Sequence, residues 1–379
     1  MSVGTPNPVG REQRGTAQGG PAPDPSPRRP LALLRALRPY PFEVFTLVNL
    51  VAAVLFLRAF HLRIDGKGFW YIVKPLIEGL PVFLAVGLVL AVAATALARR
   101  PVVPFLRGLG RPAWVVHWLR LWLAVMLVTY AYGWLKVNVP IVHHRNFDQE
   151  LWNLDVLLHL GVSPTVFVTQ LCAGTPLVGL LDLWYTHWMQ TVLFTLCCFT
   201  VFLPPPTARR FVFALLMLWG FGAWIYVALP AVGPIYVFPE HWNGLVMPKA
   251  LGTQASLWAN YQIMLGGRTG QIHAFNPILG VAAMPSLHVG VHALFAFWTR
   301  RYARPLWIVF LVSTLLTLLG SVLTGWHYAV DGYVGIALAY ACFRLANRFE
   351  GSPRAGEPDP DPSPGPAPSE VAEGFEAAA

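Results

Sequence analysis

Long runs of apolar residues, separated by short polar or basic stretches, fill the chain between residue 43 and residue 347. A helix needs about 20 such residues to cross a hydrocarbon layer roughly 30 Å thick. The pattern predicts eight membrane spans: residues 43–60, 79–98, 114–135, 177–203, 211–230, 285–299, 304–323 and 327–347. We therefore expect an all-α fold, a polytopic membrane helix bundle with about eight spans.

The distribution of polar residues divides the chain into five segments. Residues 1–40 form a basic tail and residues 350–379 a tail rich in Pro, Ala and Glu. Both tails are predicted to be disordered, because neither can bury enough apolar surface to offset the entropy of ordering. Between them lie N-terminal transmembrane helices (41–135), an extracytoplasmic amphipathic segment (136–175) and a larger transmembrane core (176–349), which holds the residues suited to catalysis.

Composition and charge indicate a membrane protein and exclude a nucleic-acid-binding one. Hydrophobic residues make up 55% of the 379 and charged residues only 12%, against roughly 25% charged residues in ordinary soluble domains. The net charge of +9 is therefore best explained by basic cytoplasmic loops. No nucleic-acid-binding motif accompanies it.

The basic residues also predict the orientation of the bundle. Five clusters fall on one side of an eight-span arrangement: Arg28, Arg29, Arg35 and Arg38; Arg99, Arg100, Arg107 and Arg111; Arg209 and Arg210; Arg300, Arg301 and Arg304; Arg344 and Arg348. The positive-inside rule makes that side cytoplasmic, although one loop of mixed charge, residues 58–78, disagrees. On the outer side, residues 231–283 are punctuated by Pro and Gly, so we expect an irregular cap there.

Three ionisable side chains stand at the ends of apolar runs, where such groups are costly and indicate function. They are His288, His327 and Asp331, and all three lie at the predicted extracytoplasmic ends of their helices. His327 and Asp331 are four residues apart, so on a helix they share one face and the carboxylate accepts a hydrogen bond from the imidazole. The other ring nitrogen is then free to act as a base or nucleophile. His288 would serve as a general acid.

Two plainer interpretations remain open. A histidine in an apolar helix is often only a packed, hydrogen-bonded residue, and His292 fits that description. His288 and His292, one helical turn apart, would also suit the start of a metal site. No compact cluster of further ligands completes such a site, so we predict neither a metal nor a cofactor. The four cysteines are interpreted as small core residues: Cys172, Cys197, Cys198 and Cys342.

Two short motifs resemble those of the type-2 phosphatidic acid phosphatase superfamily. The second family motif is similar to Pro285-Ser286-Leu287-His288, and the third is similar to His327 followed four residues later by Asp331. The resemblance implies a six-helix phosphatase-type core, here with extra N-terminal helices, and no metal. It also implies that His327 attacks phosphorus to form a phosphohistidine, that Asp331 orients it and that His288 protonates the leaving oxygen.

The departures from the phosphatase pattern are informative. Leu287 stands where the phosphatases have Gly, and Ser321 stands six residues before His327 where they have Arg. Their upstream Lys-x6-Arg-Pro element is missing, because Pro104 occupies the Lys position ahead of Arg111-Pro112. Those cations hold a phosphomonoester, which carries a charge of about −1.5 to −2. A site without them suits a phosphodiester better.

In these respects, and in the segment with Asp148 and Asp155, the sequence resembles the inositol phosphorylceramide synthase branch of the superfamily. That branch transfers phosphoinositol from phosphatidylinositol to the hydroxyl of ceramide. For the phosphate contacts we select Arg268, with Lys136 and Lys249 as further candidates. Ser286 and Ser321 complete the predicted substrate-binding set.

The sequence thus predicts an integral protein of the bacterial inner membrane, with its active site on the extracytoplasmic side, that moves a phospho-head group between membrane lipids. Its expected partners are a phospholipid and a lipid alcohol such as ceramide or diacylglycerol. The alternative on the same residues is a lipid phosphatase that releases inorganic phosphate. A metalloenzyme and a non-catalytic lipid-binding or transport protein are the remaining alternatives.

Overall fold

The computed structural model describes residues 39–62, 67–97, 102–109, 111–143, 145–266, 280–302 and 304–349. Apart from residues 39 and 40, both predicted tails lie outside these ranges. Within them the chain is helical, and no strand occurs. The predicted helical bundle is confirmed.

Fourteen α-helices account for most of the described residues. They are α1 (Pro41–Ala59), α2 (Lys67–Leu97), α3 (Val102–Leu109), α4 (Pro112–Val142), α5 (Asp148–Leu158), α6 (Pro164–Cys172), α7 (Leu177–Thr186), α8 (Trp188–Phe202), α9 (Pro205–Ala228), α10 (Pro234–Val237), α11 (Pro248–Leu265), α12 (Leu287–Tyr302), α13 (Arg304–Leu323) and α14 (Ala329–Phe349). A single 3₁₀ turn, Pro239–Trp242, follows α10.

Five of these helices are long and apolar enough to cross a membrane: α1, α4, α9, α13 and α14. A sixth candidate is the pair α6 and α7, which together pass the same test but meet at an angle of 120°. The chain is therefore an integral membrane protein. Of the predicted spans 79–98 and 285–299, residues 79–97 lie in α2 and residues 287–299 in α12. These two helices do not meet the span criteria over their described residues.

The predicted span 177–203 is not continuous, because α7 ends at Thr186 and α8 begins at Trp188. The side chains at the junction bond to the preceding turn of backbone. The Thr186 hydroxyl donates to the Asp182 carbonyl at 2.7 Å, and His187 Nδ1 lies 2.8 Å from the Leu183 carbonyl. Such side chains compete with the regular hydrogen bonds of a helix. A span prediction based on the number of apolar residues does not detect this competition.

The predicted outer loop, residues 231–283, is more regular than we expected over its described residues, 231–266 and 280–283. It contains α10 and the 18-residue helix α11, so the prediction of irregular structure there is wrong in part. The buried carboxylate of Asp182 stabilises the start of α11, since it accepts hydrogen bonds from the backbone N–H groups of Lys249 and Ala250 at 3.0 and 2.8 Å. Helix α11 packs on α4 and α7.

Helices α12 and α14 approach each other closely at two glycines. A Cβ atom at Gly290 would lie 2.9 Å from the Gly335 carbonyl oxygen, and one at Gly335 would collide with the Ser286 carbonyl oxygen. The contact also brings the N-terminal ends of the two helices together, because the Ser286 N–H donates to the Asp331 carbonyl at 2.9 Å.

We expect Gly335→Ala to lower the melting temperature of the protein in detergent, because the added methyl group meets backbone that cannot move aside. Overpacking of this kind costs about 1–3 kcal/mol. Gly179→Ala is the matched control, since a Cβ there meets nothing within 4 Å and alanine favours the helix. Equal melting temperatures for the two variants would contradict this account of the α12–α14 contact.

Candidate active site

The structure brings His288, His327 and Asp331 together. His288 lies in the first turn of α12, Asp331 in the first turn of α14, and His327 two residues before α14 begins. His288 Nδ1 is 3.2 Å from His327 Nε2, although the two residues are 39 positions apart in the sequence. His327 Nδ1 is 3.4 Å from Asp331 Oδ2.

The partners of His327 define which ring nitrogen carries a proton. Its Nδ1 lies 2.7 Å from the carbonyl oxygen of Ala283, and a carbonyl oxygen only accepts. In the neutral ring Nδ1 is therefore the donor, and Nε2 has the free lone pair. That lone pair faces His288.

Asp331 differs from the prediction in the way it contacts His327. The closest acceptor of the His327 Nδ1 proton is the Ala283 carbonyl, and Asp331 Oδ2 accepts instead from the backbone N–H of Tyr328 at 2.9 Å. The reason is that α14 begins only at Ala329, so His327 lies in a turn and Asp331 completes a capping arrangement at the helix start. Asp331 is fully buried, and within the described part of the chain its Oδ1 has no hydrogen-bond partner.

Aromatic side chains enclose His288. The Trp188 ring meets its imidazole edge to face at a centroid distance of 4.1 Å, and the Tyr185 ring lies at 5.0 Å. The break between α7 and α8 places both rings against the imidazole. Two buried donors near this wall, the Tyr185 hydroxyl and Trp326 Nε1, have no hydrogen-bond partner among the described residues.

Lys136, one of the predicted phosphate contacts, lies on α4. Its charge acts electrostatically on both His288 and His327. Its Nζ lies 5.6 and 5.4 Å from the ring centroids of Tyr132 and Tyr226, and no carboxylate pairs with it within the described ranges. A half-buried ammonium without an anionic partner is costly, which is why we regard it as a ligand-binding group.

Two buried carboxylates of α5 hold the segment that follows His327. Asp155 accepts from the backbone N–H groups of Ala329 and Val330, both at 2.8 Å, and so caps α14. Asp148 accepts from the Tyr328 hydroxyl at 3.0 Å. The two acidic residues are seven positions apart on one helix, so they lie on the same face, two turns apart.

Asp148 also reaches the loop before α10, accepting from the N–H groups of Val232 and Gly233. Burial raises the pKa of Asp148 and of Asp155 above the ordinary value, and the backbone donors oppose this rise. The predicted amphipathic helix, α5, therefore has the opposite orientation to an amphipathic helix of a soluble protein, which buries its apolar face. Its acidic face is buried, whereas Leu157 and Leu158 point outward.

Two of the other predicted binding residues lie beside the site through their backbone, since the Ser286 N–H donates to the Asp331 carbonyl and the Ser321 carbonyl accepts from the His327 N–H. Arg268 lies outside the described residues. The Ser286 side chain caps α12, accepting from the Val289 N–H, and the Ser321 hydroxyl donates to the Leu318 carbonyl. Their role in substrate binding stays a prediction. Lys249 stands at the start of α11, where its backbone N–H is bound by Asp182.

The remaining candidates are placed as follows. His292 is fully buried, and its Nδ1 lies 2.8 Å from the His288 carbonyl. No group of three His, Cys, Asp or Glu side chains within the described ranges is arranged to hold a metal ion. All four cysteines are buried and unbridged.

Sequence reasoning missed Tyr185, Trp188 and Trp326, because aromatic residues in apolar runs look like ordinary core or interfacial residues. It noted Asp148 and Asp155 but not their function. The available signal was the spacing of seven residues, which places two carboxylates on one helical face.

We expect Asp155→Ala to lower the melting temperature, because it removes the cap of α14 and leaves two buried N–H groups unpaired. Loss of a cap costs about 0.5–2 kcal/mol. Glu150→Ala on the exposed face of the same helix is the control and should have little effect. Asp155→Asn should fall between wild type and Asp155→Ala, since its amide retains one acceptor. A normal melting temperature for Asp155→Ala would disprove the capping role.

A protein-family model described as the PAP2 superfamily matches residues 149–345, just over half of the chain. Comparison with curated proteins and with solved structures finds no match. The matched range includes His288, His327 and Asp331 and most of α5. The chain therefore belongs to the PAP2 superfamily, whose members are generally phosphatases or phosphotransferases.

Proposed function

We propose that this protein is a membrane lipid phosphotransferase. It moves a phospho-head group, phosphoinositol from phosphatidylinositol, to the hydroxyl of a lipid alcohol such as ceramide or diacylglycerol. The observation that carries the proposal is the distance of 3.2 Å between His288 Nδ1 and His327 Nε2. Two imidazoles so placed can share one phosphorus centre, one as nucleophile and the other as acid and base.

In the first half of the reaction, His327 Nε2 attacks the phosphorus of the donor lipid. A phosphorus–nitrogen bond forms, and the bond from phosphorus to the diacylglycerol oxygen breaks. Protonated His288 gives its proton to that oxygen, so diacylglycerol leaves as a neutral alcohol. The product of this half is a phosphohistidine at His327 and a neutral His288.

In the second half, the oxygen of the lipid alcohol attacks the phosphohistidine. Neutral His288 accepts the hydroxyl proton, the phosphorus–nitrogen bond breaks, and both histidines return to their starting states. The Ala283 carbonyl and Asp331 stabilise the positive charge that His327 acquires on phosphorylation, since both lie within 3.4 Å of its Nδ1. Asp331 and Ala283 thereby also fix the orientation of the ring.

The electrostatics of the site favour a phosphodiester donor. Lys136 is the cation whose charge reaches both histidines, and Ser321 replaces the arginine of the phosphatases. One cation balances the single charge of a phosphodiester, whereas a monoester would retain about one further charge. The aromatic wall around His288 restricts water, which favours a lipid hydroxyl as the acceptor over hydrolysis.

The site lies at the N-terminal ends of α12 and α14, whereas Arg300 and Arg301 stand in the last turn of α12 and Arg348 in the last turn of α14. We therefore propose that it faces the extracytoplasmic side of a bacterial inner membrane. At that depth the head groups of lipids in the outer leaflet meet the histidines directly.

We expect His327→Ala to abolish the transfer of label from inositol-labelled phosphatidylinositol to ceramide in vesicles, because the nucleophile is lost. His288→Asn should slow the reaction by about 10²- to 10⁴-fold, the usual contribution of a general acid. His61→Asn, a change at an exposed histidine that follows α1, should match wild type. A phosphoenzyme that is labile to acid and stable to base should form only when His327 is present.

Two results would contradict this proposal. Release of inorganic phosphate from phosphatidic acid, without any lipid acceptor and with the same dependence on His327, would establish the phosphatase alternative. Unchanged lipid profiles in cells carrying His327→Ala would favour a non-catalytic role.

A second expectation concerns Lys136. Lys136→Met should lower kcat/KM for the phospholipid donor by about 10- to 100-fold, because a hydrogen bond to a charged group contributes about 1.5–3 kcal/mol. Lys136→Arg should retain more activity, since the charge remains. Lys249→Met is the control. Equal kcat/KM values for both methionine variants would remove Lys136 from the phosphate site.

A further inference from the structure

A cavity lies beside the start of α14 and opens on the surface of the bundle. This lateral groove runs between the α5–α6 connection, α6, α13 and α14, and has a volume of about 250 Å³. Most of its lining is apolar: Val162, Phe167, Leu318, Leu319 and Val322. Ala329 also lines the groove. This residue follows His327 by two positions, and its backbone N–H donates to Asp155.

The medium around the groove is lipid. Helices α13 and α14 are candidate membrane spans, and α13 exposes Leu315 and Leu319 on its outer face. An apolar cavity of roughly 150 Å³ already stays free of water and takes up small apolar molecules. A groove of about 250 Å³ with mostly apolar walls, set between two candidate spans, has a lining suited to a lipid chain.

Two polar side chains, His159 and Tyr333, also line the groove and define its polar end. His159 Nδ1 lies 2.7 Å from the Asp155 carbonyl, and its Nε2 lies 2.8 Å from the Tyr333 hydroxyl. Since a carbonyl only accepts, Nδ1 carries the proton, and in the neutral ring Nε2 accepts the Tyr333 proton. Both nitrogens of His159 are then occupied.

The remaining hydrogen-bond acceptor at this end of the groove is a lone pair of the Tyr333 oxygen. Tyr333 is 39% exposed, so a ligand can reach it, and the oxygen can only accept a hydrogen bond. An occupant that carries a hydrogen-bond donor would gain a contact here that other lipids lack. An ester or ether lipid has none near its chains, whereas a lipid alcohol has its hydroxyl, and ceramide also an amide N–H.

We propose that the lateral groove binds a lipid alcohol, with one chain along α13 and its hydroxyl donating to Tyr333. The inference rests on the proposed function in one respect, since this lipid would be the acceptor of the phospho-head group. Binding itself requires no transfer. Tyr333 lies in the second turn of α14, at the same end of the helix as Asp331 but on a different, exposed face.

Photolabelling tests this assignment. The protein in phosphatidylcholine vesicles would be exposed to a diacylglycerol with a diazirine in its chain, to the same lipid with its hydroxyl acetylated, and to a diazirine ceramide. Wild type should be labelled on α6 and α13, about two- to tenfold more by the alcohols than by the acetylated lipid, the range for one neutral hydrogen bond. The ratio of diacylglycerol to ceramide labelling identifies the preferred alcohol.

Four variants test which contacts the labelling depends on. Tyr333→Phe should abolish the preference for the alcohols and leave labelling by the acetylated lipid unchanged. Val162→Trp should fill the groove and reduce labelling by all three lipids, whereas Leu315→Trp, one turn below on α13 and outside the groove, should not. His327→Ala should be labelled like wild type, so failure of the proposed transfer and failure of lipid binding are separable.

Equal labelling of wild type by the alcohol and the acetylated lipid would overturn the proposal. Labelling that Val162→Trp does not reduce, or that falls on other helices, would overturn it as well.

Discussion

The architecture of the site depends on one constraint: backbone groups buried at membrane depth must find hydrogen-bond partners within the protein. Regular helices meet it by themselves, but the segments between them do not. Here buried carboxylates meet it. Asp155 and Asp182 cap α14 and α11, and Asp148 binds the loop at residues 232 and 233. Irregular backbone, and with it His327, can thus exist inside a bundle of apolar helices.

Buried polar atoms without a hydrogen-bond partner among the described residues occur in several parts of the bundle, and some of them lie near the histidines. Asp331 Oδ1, the Tyr185 hydroxyl and Trp326 Nε1 are buried and lack hydrogen-bond partners among the described residues, and Lys136 lacks a carboxylate. Each unpaired group is costly in a low-dielectric interior. In the proposed reaction the anionic oxygens of the substrate would pair with the donors, and the positively charged ring of phosphorylated His327 would pair with the Asp331 carboxylate.

The sequence predicts the helical bundle well, because span length follows directly from bilayer thickness. It also singles out His288, His327 and Asp331, because charge is rare in apolar runs. It does not predict the break at His187, which depends on side chains bonding to local backbone. Nor does it reveal the inward direction of Asp148 and Asp155. An amphipathic pattern defines two faces of α5, and at a membrane surface the apolar face can be the outer one.

The position of Lys136 between two tyrosine rings has a consequence for the order of events. The rings hold the ammonium in place through cation–π contacts without neutralising it, so the site keeps its charge when it is empty. In the proposed reaction the first product, diacylglycerol, is neutral and gains nothing from that charge. The phosphoryl group that remains on His327 is anionic and is held by it. For the proposed transfer, this difference in charge would favour release of the first lipid before the second one binds, the order of a double-displacement reaction.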